Sequence, residues 1–190
     1  MTQICNEPDC KGYKFEDPYN KDSELNSLKF IFTVDIPIDT AFRMMNDGQV
    51  RKLWDTKIYN PQVLEGDIET SAIVYQAIKT PFVVSDRDIV MKVDVIKNYK
   101  GYKYIVSLNS TDHPSKPESS SVGVRAKLTN SFGFLKTLPN RRTEISGINC
   151  VDPNGYIPDM VKNMMLDGMA KQMKDELVTG YKELKSKGIV

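Results

Sequence analysis

Between Ile73 and Val151 the chain repeats one kind of segment with no helical stretch in between. IVYQAI (73–78), IVMKVDVI (89–96), YKYIVSL (102–108), SVGVRAKL (121–128) and TEISGINCV (143–151) are rich in β-branched residues with partial period-two alternation. Turn-forming stretches divide them: NYKG at 98–101, STDHPSKPESS at 110–120 and LPNRR at 138–142. Parallel strands need long crossovers, usually helical, so this spacing predicts one antiparallel meander and not βαβ units. An earlier stretch, LKFIFTVDI (28–36), alternates Leu28, Phe30, Phe32 and Val34 against Lys29 and Thr33, with Ile31 breaking the polar set. It reads as a half-buried strand.

Two short helices are predicted after that strand. Pro37 and Asp39 open IDTAFRMMND, and Gly48 stands just past its end. VRKLWD (50–55) is the second. After DPNGYIPD (152–159), residues 158–187 read as one long helix. Its apolar stripe passes through Val161, Met164 or Met165, Gly168 or Met169, Met173, Leu177, Tyr181 and Leu184. The fold class is therefore α+β: a curved antiparallel sheet with a long C-terminal helix across it. Met160, Met164, Met165, Met169 and Met173 crowd the first half of that helix. Methionine fills irregular cores and also lines adaptable binding surfaces, so both readings stand. Residues 1–24, polar and holding Pro8 and Pro18, read as a loosely defined lead-in, and 25–190 as one domain.

Composition limits the function classes. The formal net charge is +1, so there is no global pull towards nucleic acid, and no basic stripe is present. No run approaches the ~18 apolar residues of a membrane span, and the N-terminus has no signal-peptide pattern. A soluble, cytoplasmic protein is expected. Cys5, Cys10 and Cys150 are expected as reduced thiols, and the one histidine, His113, lies in a Pro-flanked turn. With no metal-ligand set and no nucleophile–base pair, neither a cofactor nor catalysis is expected.

Four motifs, in order through residues 28–187, carry a resemblance: RKLWD (51–55), VYQAIKTPFVVSDRDIV (74–90), STDHPSKPESSSVGVRA (110–126) and DPNGYIPDMVKN (152–163). Together they resemble the START lipid-binding domains, most of all the phosphatidylcholine transfer type. The resemblance implies a helix-grip fold enclosing a tunnel for one lipid, and a carrier that docks transiently on membranes. The alternatives it leaves are a lipid sensor acting on a partner protein, whose identity is open, and a sterol or ceramide carrier.

The resemblance also assigns residues. Arg51 and Asp55 would face the tunnel, with Arg51 on the lipid phosphate; a plain Arg51–Asp55 ion pair closing a helix is the other reading. Tyr75 and Gln76 would complete the head-group site. Gln76 and Ile89 stand where the choline-binding members have cage aromatics, so a broader range including phosphatidylethanolamine is expected. Tyr75 and Tyr104 offer ring faces that keep phosphatidylcholine open. Val74 and Val93 replace the buried acid and arginine of the steroidogenic members, which disfavours sterol. Trp54, Val74, Ile89, Met91, Val93, Tyr104, Met164, Met165, Met169 and Met173 would line the tunnel. Pro81, Phe82, Val83 and Val84 would form an apolar loop tip that touches the bilayer, aided by Lys162, Lys171 and Lys174. Asp86, Arg87 and Asp88 would pin that loop through ion pairs, Arg87 with a carboxylate.

Overall fold

A computed structural model describes residues 1–16, 27–80, 84–157 and 168–190. The strands run β1 (Thr2–Glu7), β2 (Cys10–Phe15), β3 (Ser27–Val34), β4 (Ile58–Asp67), β5 (Ser71–Ile78), β6 (Arg87–Tyr99), β7 (Tyr102–Ser110), β8 (Val124–Arg125), β9 (Lys127–Leu128), β10 (Ser131–Thr137), β11 (Thr143–Asn149) and β12 (Val151–Asp152). The helices are α1 (Ile38–Asn46), α2 (Gly48–Arg51) and α3 (Met169–Ser186). The main sheet has the order β1-β2-β3-β11-β10-β7-β6-β5-β4, antiparallel at each step. It is a helix-grip arrangement: one curved antiparallel sheet with the C-terminal helix packed on its inner face.

The period of two decides which residues reach the core. In β3, Leu28, Phe30, Phe32 and Val34 are buried while Lys29 is exposed and Ile31 is half-buried on the outer face. In α1 the period is 3.6, and Ile38, Ala41, Phe42 and Met44 point inward. The Asp47 carboxylate then accepts from the amides of Gln49 and Val50, so Gly48 opens α2 and is not merely the end of α1.

Several expectations are corrected. The lead-in is not loose over residues 2–15: β1 and β2 form a hairpin whose second strand pairs with β3 from Cys10↔Phe32 to Phe15↔Ser27. Residues 17–24 lie outside the described residues. The helix expected at VRKLWD ends at Arg51, and Lys52 to Trp54 form a turn. The strand expected at 121–128 is reduced to two pairs of residues, β8 and β9. There Val124 and Ala126 donate to Asp86 O and Asp88 O, so β8 joins β6 in parallel, while β9 pairs with β12. Besides the hairpin, β4 and β10 also escaped the sequence pattern. β4 is an edge strand with Pro61 and two register shifts, and β10 carries Gly133 in mid-strand.

The long helix is also corrected. Gly168 is left-handed, at φ 80°, and caps α3, so no single helix runs unbroken from 158 to 187. Residues 158–167 lie outside the described residues. From Met169 onward the helix buries Ala170, Leu177, Gly180 and Leu184, with Met169, Met173 and Tyr181 half-buried against the same core.

Two glycines set how closely α3 approaches. A Cβ on Gly180 would lie 2.4 Å from the Cβ of Trp54, and one on Gly12 of β2 would lie 2.8 Å from the Cβ of Ala170. Trp54 is held in place by its Nε1–H donating to Met44 O at 3.1 Å. Replacing Gly180 by Ala in a helix interior would normally stabilise by ~1 kcal/mol. Here overpacking against Trp54 outweighs that gain. Gly180→Ala is expected to lower the unfolding free energy by about 1–3 kcal/mol, read by urea denaturation followed through Trp54 fluorescence.

Candidate functional site

Strand alternation sorts the candidate residues onto two faces. Ala72, Val74, Gln76 and Ile78 share one face of β5, and their partners on β6 are Val93, Met91, Ile89 and Arg87. Ile89, Met91 and Val93 are buried in the main core, with Val74 packed beside them. Gln76 is therefore a half-buried amide on an apolar inner face, and among the described residues nothing hydrogen-bonds its side chain.

Tyr75 is corrected by the same rule, because adjacent strand residues point opposite ways. It lies on the outer face in a small cluster with Ala77 and Val90, and its hydroxyl donates to Asp88 Oδ2 at 3.2 Å. Burial and the Asp88 charge push its pKa up to about 12. The Lys116 ammonium lies 4.3 Å from its ring centroid, so an internal cation already occupies that ring face. Tyr104 is on the inner side, but its ring stacks on Phe42 at 3.9 Å and its hydroxyl donates to Asp39 Oδ1 at 2.6 Å. It ties α1 to the sheet. Trp54 likewise fills the junction of α1 and α3.

Arg51 and Asp55 are brought together. Arg51 Nε and Nη2 each reach Asp55 Oδ2 at 3.2 Å, and Asp55 Oδ1 accepts the Lys57 amide at 3.1 Å. The aspartate is buried, and the Arg51 side chain is 32% exposed. Asp55 thus holds the guanidinium by one edge, while Nη1 makes no hydrogen bond among the described residues. A fork fixed on one side with donors left on the other can take an anionic oxygen.

The charge cluster is a set of loop anchors, arranged otherwise than expected. Arg87, 4% exposed, meets no carboxylate within hydrogen-bond reach among the described residues. Its Nε and Nη2 donate to Pro153 O at 3.0 Å and Asn154 O at 2.9 Å, and its Nη1 donates to Ser85 O. Carbonyl oxygens provide the partial negative charge that a buried guanidinium requires. Asp86 accepts from the Thr80 amide at 3.1 Å and the Tyr59 hydroxyl at 2.8 Å, and those bonds hold its carboxyl below the usual range.

Asp88 is fully buried and carries the ion pair. Arg125 Nε lies 2.7 Å from Oδ1, and Ser121 Oγ, the Val122 amide and the Tyr75 hydroxyl complete its shell. Arg125 also donates to Lys116 O and Pro117 O. Burial pushes the Asp88 carboxyl up, but Arg125 and these donors outweigh it and hold it low.

Of the loop tip, Val84 is half-buried against the main core, and Pro81, Phe82 and Val83 lie outside the described residues, as do Met164, Met165 and Lys162. Lys171 and Lys174 are engaged with Glu7 at 3.1 Å and Asp9 at 2.6 Å, and so tie α3 to the hairpin instead of standing free for a membrane. His113 Nδ1 meets Ser115 Oγ at 2.8 Å, but it also accepts the Ser115 amide, which makes this a turn contact on an exposed loop. Among the described residues no helix is long and apolar enough to cross a membrane, and no metal-binding cluster is found.

A family model described as the START domain matches residues 7–187. START domain-containing protein 10 of Homo sapiens is 24% identical over 141 residues, which cover 74% of this chain and 47% of that protein. The phosphatidylcholine transfer protein of Bos taurus is 28% identical over 132 residues, covering 68% of this chain and 61% of its own. The chain thus spans about half the length of the first of these relatives and three fifths of the second. The solved structure of human StAR-related lipid transfer protein 5 superposes with a TM-score of 0.84 over 97% of this chain and 87% of that one, at 16% identity, and so shares the fold.

Asp88→Asn leaves Arg125 buried without its counter-charge and is expected to cost about 3–5 kcal/mol at neutral pH. Asp88→Leu combined with Arg125→Met should recover part of that loss. Because the folded-state pKa of Asp88 is depressed, its contribution is present above the unfolded value of ~3.9 and is lost as pH falls through the folded value. Below about pH 4 the stability of Asp88→Asn should therefore fall less steeply than that of the wild type, as measured by denaturation at a series of pH values.

Proposed function

The chain belongs to the START domain family, and on that premise we propose that it is a non-catalytic carrier for one phospholipid molecule. The lipid chains would lie in a tunnel between the curved sheet and α3, with the head group held by polar groups at the inner face. Gln76 carries this reading: an apolar inner surface interrupted by one amide whose hydrogen bonds the described protein leaves open. Arg51, braced by Asp55, supplies donors suited to the phosphate.

The names of the relatives support a lipid cargo, and phosphatidylcholine is in one of them. With Tyr75 turned outward and Tyr104 stacked on Phe42, neither ring is open to form a choline cage. A head group that accepts hydrogen bonds on its phosphate and donates to or accepts from an amide fits better. Phosphatidylethanolamine meets both demands, and a broad phospholipid range is compatible with them. Transfer would require transient contact with membranes, with the loop around Val84 as the candidate contact.

Native mass spectrometry with lipidomics on freshly purified protein tests this. One phospholipid per chain is expected in the wild type, with occupancy reduced about tenfold or more in Arg51→Ala, the order of one charge-assisted hydrogen bond. Equal occupancy in the variant would remove Arg51 from the phosphate site. A lipid-free protein that also takes up no phospholipid from vesicles would overturn the carrier function.

A further inference from the structure

The N-terminal hairpin holds two thiols in contact. Cys5 Sγ lies 3.3 Å from Cys10 Sγ and 3.5 Å from Cys10 O. Their positions are diagonal: Cys5 faces Gly12, and Cys10 faces Glu7. Diagonal neighbours in a regular hairpin stand ~7–8 Å apart at the backbone. A register shift between Gln3 and Cys5, and the absence of a side chain at Gly12, accommodate the closer approach of the sulfurs. A Cβ at residue 12 would stand 3.3 Å from the Cβ of Cys5, so the glycine leaves room beside that cysteine. A disulfide of ~2.0 Å would require the sulfurs to close by about 1.3 Å.

The two thiols are unequal. Cys10 is 1% exposed, and burial together with the Cys5 thiol pushes its pKa up to about 12, so it does not start thiolate chemistry. Cys5 is half-buried and open to a small oxidant. We propose that Cys5 and Cys10 form a peroxide-oxidisable dithiol, with Cys5 meeting the oxidant and Cys10 resolving it into a disulfide within the hairpin. In the first step the Cys5 thiolate attacks a peroxide oxygen, the O–O bond breaks, and Cys5 becomes a sulfenic acid. The hydroxide released takes up the proton that Cys5 lost and becomes water. In the second step the Cys10 sulfur attacks the Cys5 sulfur and the S–O bond breaks. The Cys10 proton leaves with the hydroxyl as a second water. The two sulfurs give up two electrons and the peroxide accepts them.

The position gives the bond something to act on. Glu7 at the end of β1 and Asp9 in the turn, both between the two cysteines in sequence, pair with Lys171 and Lys174 on the first turns of α3, and Gly12 packs on Ala170. A disulfide would tighten the turn that grips the start of the C-terminal helix.

Both cysteines fall in one tryptic peptide, residues 1–11, which makes the test direct. The reduced full chain is treated with hydrogen peroxide, alkylated in denaturant, digested without reductant and examined by mass spectrometry. The expected product is peptide 1–11 lighter by two hydrogens, unalkylated, and returned to two alkylated cysteines by dithiothreitol. In Cys10→Ser the sulfenic acid at Cys5 should be trapped by dimedone, and in Cys5→Ser oxidation of Cys10 should be at least about tenfold slower. A wild-type peptide with Cys5 over-oxidised to sulfinic acid while Cys10 still alkylates would overturn the proposal. So would a disulfide between two chains, or oxidation of Cys10 in Cys5→Ser at the wild-type rate.

Discussion

A carboxylate with no solvent exposure at the start of a central strand must be answered by charge and donors, and Asp88 is answered from three parts of the chain. Arg125 supplies the charge, Ser121 and Val122 supply donors from the long connection after β7, and Tyr75 supplies one from the neighbouring strand. One residue earlier, Arg87 is turned to the other face and gathers the carbonyls of Ser85, Pro153 and Asn154. Because burial makes an unanswered charge costly, these segments have little freedom to leave their places. The beginning of β6 thus gathers the loop before it, the strap that includes β8, and the turn that follows β12.

The helix is held by a different kind of constraint. Gly180 and Gly12 admit Trp54 and Ala170 at distances that any side chain would forbid, so α3 sits close to the sheet at one end of α1 and on the hairpin. Lys171 and Lys174 add ion pairs to the hairpin turn; exposed pairs of this kind contribute modestly, and their use here is to orient the start of the helix. The inner face of β5 and β6 is left lined by Val74, Ile89, Met91 and Val93, with Gln76 as its polar interruption. The paired thiols of Cys5 and Cys10 lie where the hairpin meets the helix, so their redox state bears on the grip of the helix and not on the inner face of β5 and β6.

Much of the architecture was legible in the chain. The alternation in LKFIFTVDI, the repeated β-rich segments without intervening helix, the Pro37–Asp39 helix start and the apolar stripe through Leu177 and Leu184 were enough for a curved antiparallel sheet with a C-terminal helix. Each is a local signal, set by steric preference and by which side of an element must avoid water. The failures were also physical. β4, with Pro61 and two register shifts, and β10, with Gly133, are strands made by their neighbours more than by their own residues. The hairpin of Thr2–Phe15 is polar because it is an edge with one covered face.

By itself, the sequence determined the class of fold and the family. Only the tertiary structure decided the partners. It gave the Tyr75 hydroxyl to Asp88, because β6 lies alongside β5. It gave Asp88, and not Arg87, the ion pair, because Arg125 is 37 residues distant in the chain and arrives only when β8 lies alongside β6. It brought Glu7 and Asp9 to Lys171 and Lys174 across the length of the chain. Secondary structure and facing follow from local periodicity, whereas the pairing of charges depends on which distant segments the sheet order makes neighbours.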